Sequence, residues 1–181
     1  MEDHKRGTDN RGLFELTPIG FSLRQGLLYG TAITVYLLAM MMTVDPKVWG
    51  YSDYPERVKR KVPPPTREEK RLRWLWAGPY LLFFPTYPVY SLLRLRDMLG
   101  GAVSFTDALT HLLILAATTS LGDLVILDWL IISKITPGFV VIEGSEPADY
   151  KDFTHHYVGH VYASVIIIAV CAVVAYIVSV V

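Results

Sequence analysis

The fold is decided by long apolar blocks, of which the most informative is residues 109–133, LTHLLILAATTSLGDLVILDWLIIS. About 20 apolar residues are enough for a helix to cross the hydrocarbon core of a bilayer, which is about 30 Å thick. Block 109–133 is longer than this, and its only acidic or basic residues other than a histidine are Asp123 and Asp128. Such a block predicts a membrane-spanning helix.

Three further blocks are equally apolar and carry no charged residue, namely 25–44, 74–93 and 161–181. Together the four blocks predict an all-α polytopic membrane protein, a four-transmembrane-helix bundle over residues 25–181. A polar N-terminal leader, residues 1–24, precedes this membrane domain. The leader is long and mixed in charge, which is atypical of a cleaved signal peptide, so we interpret the first block as a retained helix.

Charge balance and cysteine content exclude several other classes of protein. Seventeen Lys and Arg residues balance seventeen Asp and Glu residues, and 52% of the chain is hydrophobic. A disordered chain combines low hydrophobicity with high net charge, and a nucleic-acid-binding domain has a strongly basic surface. Neither class fits, and we expect no nucleic-acid partner. The single cysteine, Cys171, excludes an internal disulfide and a multi-cysteine zinc site.

The distribution of Lys and Arg predicts which side of the membrane each loop faces. Nine of these residues lie in loop 45–73 and two in loop 134–160, whereas the leader and the loop between the second and third blocks hold six. Cytoplasmic loops are enriched in Lys and Arg. Loops 45–73 and 134–160 are therefore predicted to be cytoplasmic, and both termini are predicted to lie on the outer side of the cell membrane. The basic run 57–61 is either a solvated anchor or a binding site for anionic lipid headgroups.

Two aspartates at membrane depth are the first candidate functional residues. An ionisable side chain costs about 2.5–3.5 kcal/mol to insert at the centre of a span, so Asp123 and Asp128 need a reason to be there. In an α-helix a spacing of five residues separates two side chains by about 140°, so they would not share one narrow face, but both could point into the interior of a four-helix bundle. The open interpretations are a proton, ion, metal or catalytic site, or a packing role in which Asp123 bonds Tyr or Thr side chains.

The segment before the fourth block, DYKDFTHHYVGH at 149–160, carries the second group of candidates. His156 and His160 are four residues apart, the helical spacing at which two imidazoles bind one metal ion. Asp152 lies one turn before His156 and can complete such a site. Imidazole and carboxylate ligands suit zinc, non-haem iron or manganese. The sequence therefore predicts a divalent metal held by His156, His160 and Asp152, although the same residues are also typical of a solvated polar helix end.

A helix running from Pro147 into the fourth span would place these metal-ligand candidates along one stripe. His155 would point about 100° away from His156, where it can act as an acid or base together with the intramembrane aspartates. The predicted catalytic residues are thus Asp123, Asp128 and His155. Haem is disfavoured as a cofactor, because the histidines that begin the third and fourth spans are expected at opposite sides of the bilayer.

Four short motifs occur in a characteristic order. They are Asp-Tyr-Pro at 53–55 before a Pro-rich basic loop, Asp-x4-Asp-Trp at 123–129, Gly-Ser-Glu at 144–146 and Tyr-x-Asp-Phe-x-His at 150–155. This order resembles that in small, uncharacterised four-span membrane proteins of bacteria and archaea, over about residues 25–170. The resemblance implies a four-helix membrane fold and a prokaryotic source, but it implies no activity.

The sequence leaves different classes of function open. One is a membrane-embedded enzyme with a cytoplasm-facing His/Asp site, either metal-dependent or acid–base, that acts on a lipid-like substrate. The alternative is a non-enzymatic membrane subunit or a small ion or proton transporter that uses the intramembrane aspartates, and a chain of 181 residues would then work as a homo-oligomer or within a membrane complex. A plain scaffold, whose polar residues only pack, is the third interpretation.

Overall fold

The computed structural model describes residues 17–181, and this part of the chain is all-α, as predicted. In chain order its helices are α1 (Pro18–Thr43), α2 (Pro46–Trp49), α3 (Glu56–Lys61), α4 (Arg67–Met98), α5 (Phe105–Leu121), a π-helical segment (Gly122–Ile135) that continues α5, two 3-10 turns (Gly138–Val140 and Pro147–Tyr150) and α6 (Thr154–Val180). The last seven residues of the predicted leader belong to α1, and residues 1–16 lie outside the described part of the chain.

Within the described residues, three helical stretches are long and apolar enough to cross a membrane. They are Pro18–Thr43, Phe105–Ile135 and Pro147–Val180, with mean hydropathies of 1.5, 1.7 and 2.8. The prediction of four spans was therefore wrong. Block 74–93 lies inside α4, whose prolines, tyrosines and tryptophans lower its hydropathy although it is the longest helix, at 32 residues.

Helix α4 nevertheless packs along the bundle, antiparallel to α1. Pro88 has no N–H to donate to the carbonyl oxygen of Phe84, four residues earlier in the helix. The Tyr29 hydroxyl of α1 donates a hydrogen bond to that same oxygen at 2.8 Å. A side chain of the neighbouring helix thus satisfies a carbonyl that the proline leaves free.

Two glycines bring α1 close to α5. Gly26 and Gly30 are one helical turn apart, and Thr118 Oγ1 donates to the carbonyl oxygen of Gly26 at 2.9 Å. A Cβ atom at Gly30 would lie 2.9 Å from the carbonyl carbon and oxygen of Thr118, which is closer than real Cβ contacts come. Small residues at this spacing let two helices approach backbone to backbone. Helices α1 and α5 are therefore fixed in register, running parallel to each other.

Loops 45–73 and 134–160 pack together at one end of the bundle, which we call the loop end. The Tyr54 hydroxyl donates to the carbonyl oxygen of Val140 at 3.0 Å, and Lys61 Nζ lies 2.8 Å from Asp149 Oδ2. These contacts bring the two loops together at one end of the bundle, and the prediction that this end faces the cytoplasm stays a prediction. At the opposite end, which we call the far end, residues from the start of α1 and from the end of α6 belong to one apolar cluster.

Large apolar side chains cover the outside of the bundle. On α6, for example, Val165 and Ile166 are each 65% exposed. Contiguous apolar surface of this kind is rare on soluble monomers, because exposure of apolar area to water costs about 25 cal/mol per Å². Together with the three apolar helices, this surface indicates contact with lipid.

Candidate metal centre between the π-helical segment and α6

The π-helical segment brings the two membrane aspartates to the same side of the helix. Its backbone hydrogen bonds run to the carbonyl five residues earlier, as from Thr136 N to Ile131 O at 2.8 Å. Residues five apart therefore lie one above the other, whereas α-helical geometry separates them by about 140°. The expectation that Asp123 and Asp128 cannot share one face was wrong, because it assumed an α-helix.

Asp128 lies between two histidines of α6. Its Oδ1 atom is 3.2 Å from His156 Nδ1, and its Oδ2 atom is 3.1 Å from His160 Nε2. Asp123 Oδ2 lies 3.6 Å from the same His160 Nε2. We call these four residues the acid–histidine cluster. Within it, one ligand atom each of Asp123, Asp128 and His160 lie within 4.8 Å of one another, so these three residues could hold a metal ion.

The cluster is largely sheltered from solvent. The side chains of Asp128, His156 and His160 are 14%, 4% and 18% exposed, and only Asp123 is more open, at 39%. Two carboxylates this close together repel each other, and the repulsion grows as water is excluded. A cation between them, or a proton on a neighbouring imidazole, removes that repulsion.

Ser120 orients the imidazole of His160. Its Oγ atom lies 3.0 Å from His160 Nδ1. When Nδ1–H donates to Ser120, the lone pair of Nε2 faces the two carboxylates. Metal-binding histidines use this arrangement, in which the second ring nitrogen is held by a hydrogen bond. Sequence reasoning missed Ser120, although it precedes Asp123 by one helical turn and so lies near the same helix face.

The imidazole of His156 is a second indication of a binding site, separate from the pair of carboxylates. Its side chain is 4% exposed, and its Nε2 atom is buried without a hydrogen-bond partner. Such unpartnered buried atoms are rare in proteins. When Nδ1–H donates to Asp128, Nε2 carries a lone pair, and His156 lines the cavity described next. The geometry is that of an imidazole held by a carboxylate and free to accept a proton.

A cavity of about 400 Å³ opens at the loop end beside the cluster. All four cluster residues line it, together with Trp49, Asp53, Tyr54 and His155, among others. Asp53 and His155 are exposed, so the cavity communicates with the surface at the loop end. We call it the loop-end cavity.

A second cavity, of about 530 Å³, lies deeper among α1, α4, α5 and α6. Its walls are mostly apolar, with Phe84 and Val89 from α4 facing Ile167 and Val174 from α6. We call it the bundle cavity. The two cavities share five lining residues, Leu37, Tyr80, Asp123, His160 and Ala163. The candidate metal ligands Asp123 and His160 therefore lie where a polar cavity meets an apolar one.

The other predicted site residues lie outside the cluster. Asp152 is exposed, and its Oδ1 atom accepts a hydrogen bond from Thr154 N at 3.1 Å, at the start of α6. His155 lines the loop-end cavity, and its ring stands edge-on to that of His156 at a centroid distance of 5.8 Å. The structure thus brings together His156, His160, Asp123 and Asp128, but not Asp152 or His155.

The stripe predicted from Pro147 is interrupted, because α6 begins only at Thr154. Residues Pro147–Tyr150 form a separate 3-10 turn, in which Asp149 Oδ2 accepts a hydrogen bond from Glu146 N at 2.9 Å. The same carboxylate pairs with Lys61 of the first loop. Asp149 therefore joins the two loops and takes no part in the acid–histidine cluster.

Asp53 adds a third carboxylate to the loop-end cavity. Protein atoms packed around its carboxyl group raise the pKa of Asp53, and the negative charge of Asp128 raises it further. Sequence reasoning placed the Asp-Tyr-Pro motif on the same side as the histidines but assigned Asp53 no role. The nearby basic run is partly paired, since Lys59 lies 3.4 Å from Glu56 and Lys61 binds Asp149. Its binding of anionic headgroups stays a prediction.

No protein-family model, curated protein or solved structure matches this chain. The resemblance to small four-span prokaryotic proteins accordingly stays a prediction, and the function has to be argued from the site itself.

Proposed function

We propose that the chain is a membrane-embedded enzyme that uses a divalent cation, held by Asp123, Asp128 and His160, to act on a lipid-like substrate. The observation that carries the proposal is that two of these ligands, Asp123 and His160, line both cavities. An amphiphilic molecule that spans a polar and an apolar cavity would have its middle at the cluster. The mixed carboxylate and imidazole ligands suit manganese, iron or zinc.

Each residue of the cluster has a distinct role in this proposal. The cation would supply Lewis-acid chemistry, by polarising an oxygen atom of the substrate. Asp128 also orients His156 through Nδ1, and Ser120 orients His160 in the same way. His156 is the general base, since it lines the loop-end cavity and its Nε2 atom has no hydrogen-bond partner.

Hydrolysis of an ester bond is the reaction that we propose, because the loop-end cavity is open to water. His156 Nε2 accepts a proton from a water molecule as the water oxygen forms a bond to the ester carbon. The bond from that carbon to the alcohol oxygen then breaks. The departing alcohol oxygen takes the proton from Nε2, which returns His156 to its starting state. From the excess of Lys and Arg in loops 45–73 and 134–160, we propose that water enters from the cytoplasm.

The first test is the metal content of protein purified in detergent without a histidine tag. We expect near-stoichiometric manganese, iron or zinc in the parent and background levels in Asp128→Asn, measured by plasma mass spectrometry. Asp152→Asn is the matched control, because Asp152 is exposed and contacts only the backbone of Thr154. The same samples are incubated with bacterial polar lipid extract, and ester cleavage is followed by mass spectrometry. Absence of metal from the parent, or equal cleavage by Asp128→Asn, would overturn the proposal.

One observation favours the alternative of a proton path. The titratable groups form a continuous chain from His156 through Asp128 and His160 to Asp123, with steps of 3.2, 3.1 and 3.6 Å. The described residues that line the bundle cavity beyond this chain include no other carboxylate or imidazole. Such a path would end in an apolar space, so we favour the enzyme. Proton flux into liposomes that contain a pH-sensitive dye, lost in Asp123→Asn, would support the alternative instead.

A further inference from the structure

The two cavities also constrain the chemistry of the substrate. This inference rests on the function proposed above and concerns which part of the molecule each cavity holds. The bundle cavity is the larger, at about 530 Å³, and its walls are built mainly from aliphatic and aromatic side chains and prolines. Since apolar surface gains about 25 cal/mol per Å² when it leaves water, this cavity favours a hydrocarbon tail.

The bundle cavity reaches the lipid-facing surface between α4 and α6. Helix α4 packs against α1 and α5, whereas α6 packs against α5 and the π-helical segment, and α4 and α6 do not pack closely against each other. Lining residues on both sides of the gap are exposed on the outside of the bundle: Val89 of α4 is 39% exposed, and Val170 of α6 is 56% exposed. A hydrocarbon tail can therefore enter the cavity laterally from the bilayer. The headgroup of the same molecule stays at the loop end while the tail enters.

The loop-end cavity has an acidic lining. Three carboxylates line it, those of Asp53, Asp123 and Asp128, and its described lining residues include no Lys or Arg. One divalent cation at the cluster balances two of the three negative charges and leaves that of Asp53, whose charged neighbours outside the lining are Arg73 and Lys59. Trp49, which lines the same cavity, offers an aromatic ring, which favours a cationic group such as an ammonium. A headgroup with a net negative charge is repelled here.

We infer that the substrate is a membrane amphiphile without net negative charge, whose tail enters the bundle cavity between α4 and α6 and whose headgroup occupies the loop-end cavity. The reacting bond lies between the two, beside Asp123 and His160. The tail supplies the apolar contact that binds the molecule, and Asp53 with Trp49 selects the headgroup by its charge.

A matched pair of variants tests the position of the tail. Ala116 lines the bundle cavity, whereas its neighbour Ala117 is exposed on the outside of the same helix. Metal-loaded parent, Ala116→Phe and Ala117→Phe are titrated with dodecyltrimethylammonium below its micelle concentration, by isothermal calorimetry. We expect at least a tenfold loss of affinity in Ala116→Phe, none in Ala117→Phe, and unchanged metal content in both. Unchanged affinity in Ala116→Phe would overturn the assignment of the tail.

The charge of the headgroup is tested with amphiphiles of equal tail length. In the parent we expect dodecyltrimethylammonium to bind at least ten times more tightly than dodecyl phosphate, and in Asp53→Asn we expect this ratio to fall several-fold. Asp45→Asn, in the same loop but outside the cavity lining, should keep the ratio of the parent. Tighter binding of dodecyl phosphate by the parent would overturn this inference. Failure of the proposed function would be recognised separately, by absence of metal from the parent.

Discussion

Helix α5 and the π-helical segment form one continuous helix, but their polar groups are used differently. In α5, His111 is fully buried, with its Nδ1 atom 2.9 Å from Ser22 Oγ and its ring stacked on Phe21. Among the described residues no carboxylate pairs with His111, which lies in an apolar environment at the far end. In the π-helical segment, Asp123 and Asp128 face two histidines of α6 beside a cavity.

Burial of a histidine therefore does not by itself indicate a catalytic or metal-binding role. His111 and His156 are both buried, and each has one ring nitrogen without a hydrogen-bond partner. They differ in the partner of the other nitrogen, which is a serine hydroxyl for His111 and a carboxylate for His156. His156 also lines a cavity, whereas His111 lines neither cavity, and this separates His111 from His160, whose Nδ1 atom likewise has a serine partner.

The largest expected effect comes from shortening the π-helical segment by one residue. Leu130 is 37% exposed and is not among the lining residues of either cavity. Its deletion leaves Asp123 and Asp128 five residues apart and allows the segment to return to α-helical hydrogen bonding, in which this spacing separates the two side chains by about 140°. We expect bound metal to fall to background while the helix content measured by circular dichroism stays that of the parent. Leu130→Ala is the control, and retention of metal by the deletion variant would contradict the role assigned to the π-helical register.

The contact of α1 with α5 should be the next most sensitive feature. A leucine at Gly30 would collide with the backbone of Thr118, and overpacking of this kind costs about 1–3 kcal/mol. We expect Gly30→Leu to lower the thermal unfolding temperature in detergent markedly. Gly78→Ala is the matched control, since nothing lies within 4 Å of a Cβ at that position. A Gly30→Leu variant as stable as the parent would mean that α1 and α5 are not in close contact.

Replacement of His111 sharpens the comparison of the two histidine environments. The Ser22 hydroxyl also donates to the carbonyl oxygen of Pro18 at 2.7 Å, so it keeps a partner when the imidazole is removed. We therefore expect His111→Leu to cost no more than about 1 kcal/mol of unfolding free energy and to leave the metal content unchanged. His160→Leu should behave in the opposite way, with background metal. Equal loss of metal in both variants would refute the distinction.

The smallest expected effect concerns the ion pair that joins the two loops. The carboxylate of Asp149 raises the pKa of Lys61, so the charged form of Lys61 is favoured in the folded state. Its contribution to stability is complete below the ordinary lysine pKa and is lost as pH rises through the raised value. We expect Lys61→Met to lower the unfolding temperature slightly at pH 7 and not at strongly alkaline pH. A difference that persists at alkaline pH would point to lost packing instead of lost charge.

Residue types and spacing were enough to predict the class of protein and most of the cluster. Apolar blocks predicted an all-α membrane protein, and the rarity of charge at membrane depth singled out Asp123 and Asp128. The alternation of helices placed loops 45–73 and 134–160 at the same end. His156 and His160 followed from their helical spacing.

The remaining features depend on contacts that the sequence pattern does not contain. The π-helical register shifts every hydrogen bond by one residue without changing the apolar pattern, so the alignment of the two aspartates on one narrow face could not be predicted. Asp149 and Asp152 are engaged by Lys61 and by the backbone of Thr154, which are partners that a helical-stripe argument ignores. The prediction for α4 failed because absence of charge was taken as sufficient, although its prolines and aromatic residues make it less apolar than the other long helices.

The candidate ligands come from two different helices, and this has a thermodynamic consequence. Asp123 and Asp128 belong to the π-helical segment, whereas His160 belongs to α6. A cation that binds only when the two helices are docked stabilises the docked state by mass action, by about 2.7 kcal/mol when its free concentration is 100 times its dissociation constant. The metal supply of the cell would then set how firmly α6 is held, so that a depleted cell would contain a looser bundle as well as an inactive one.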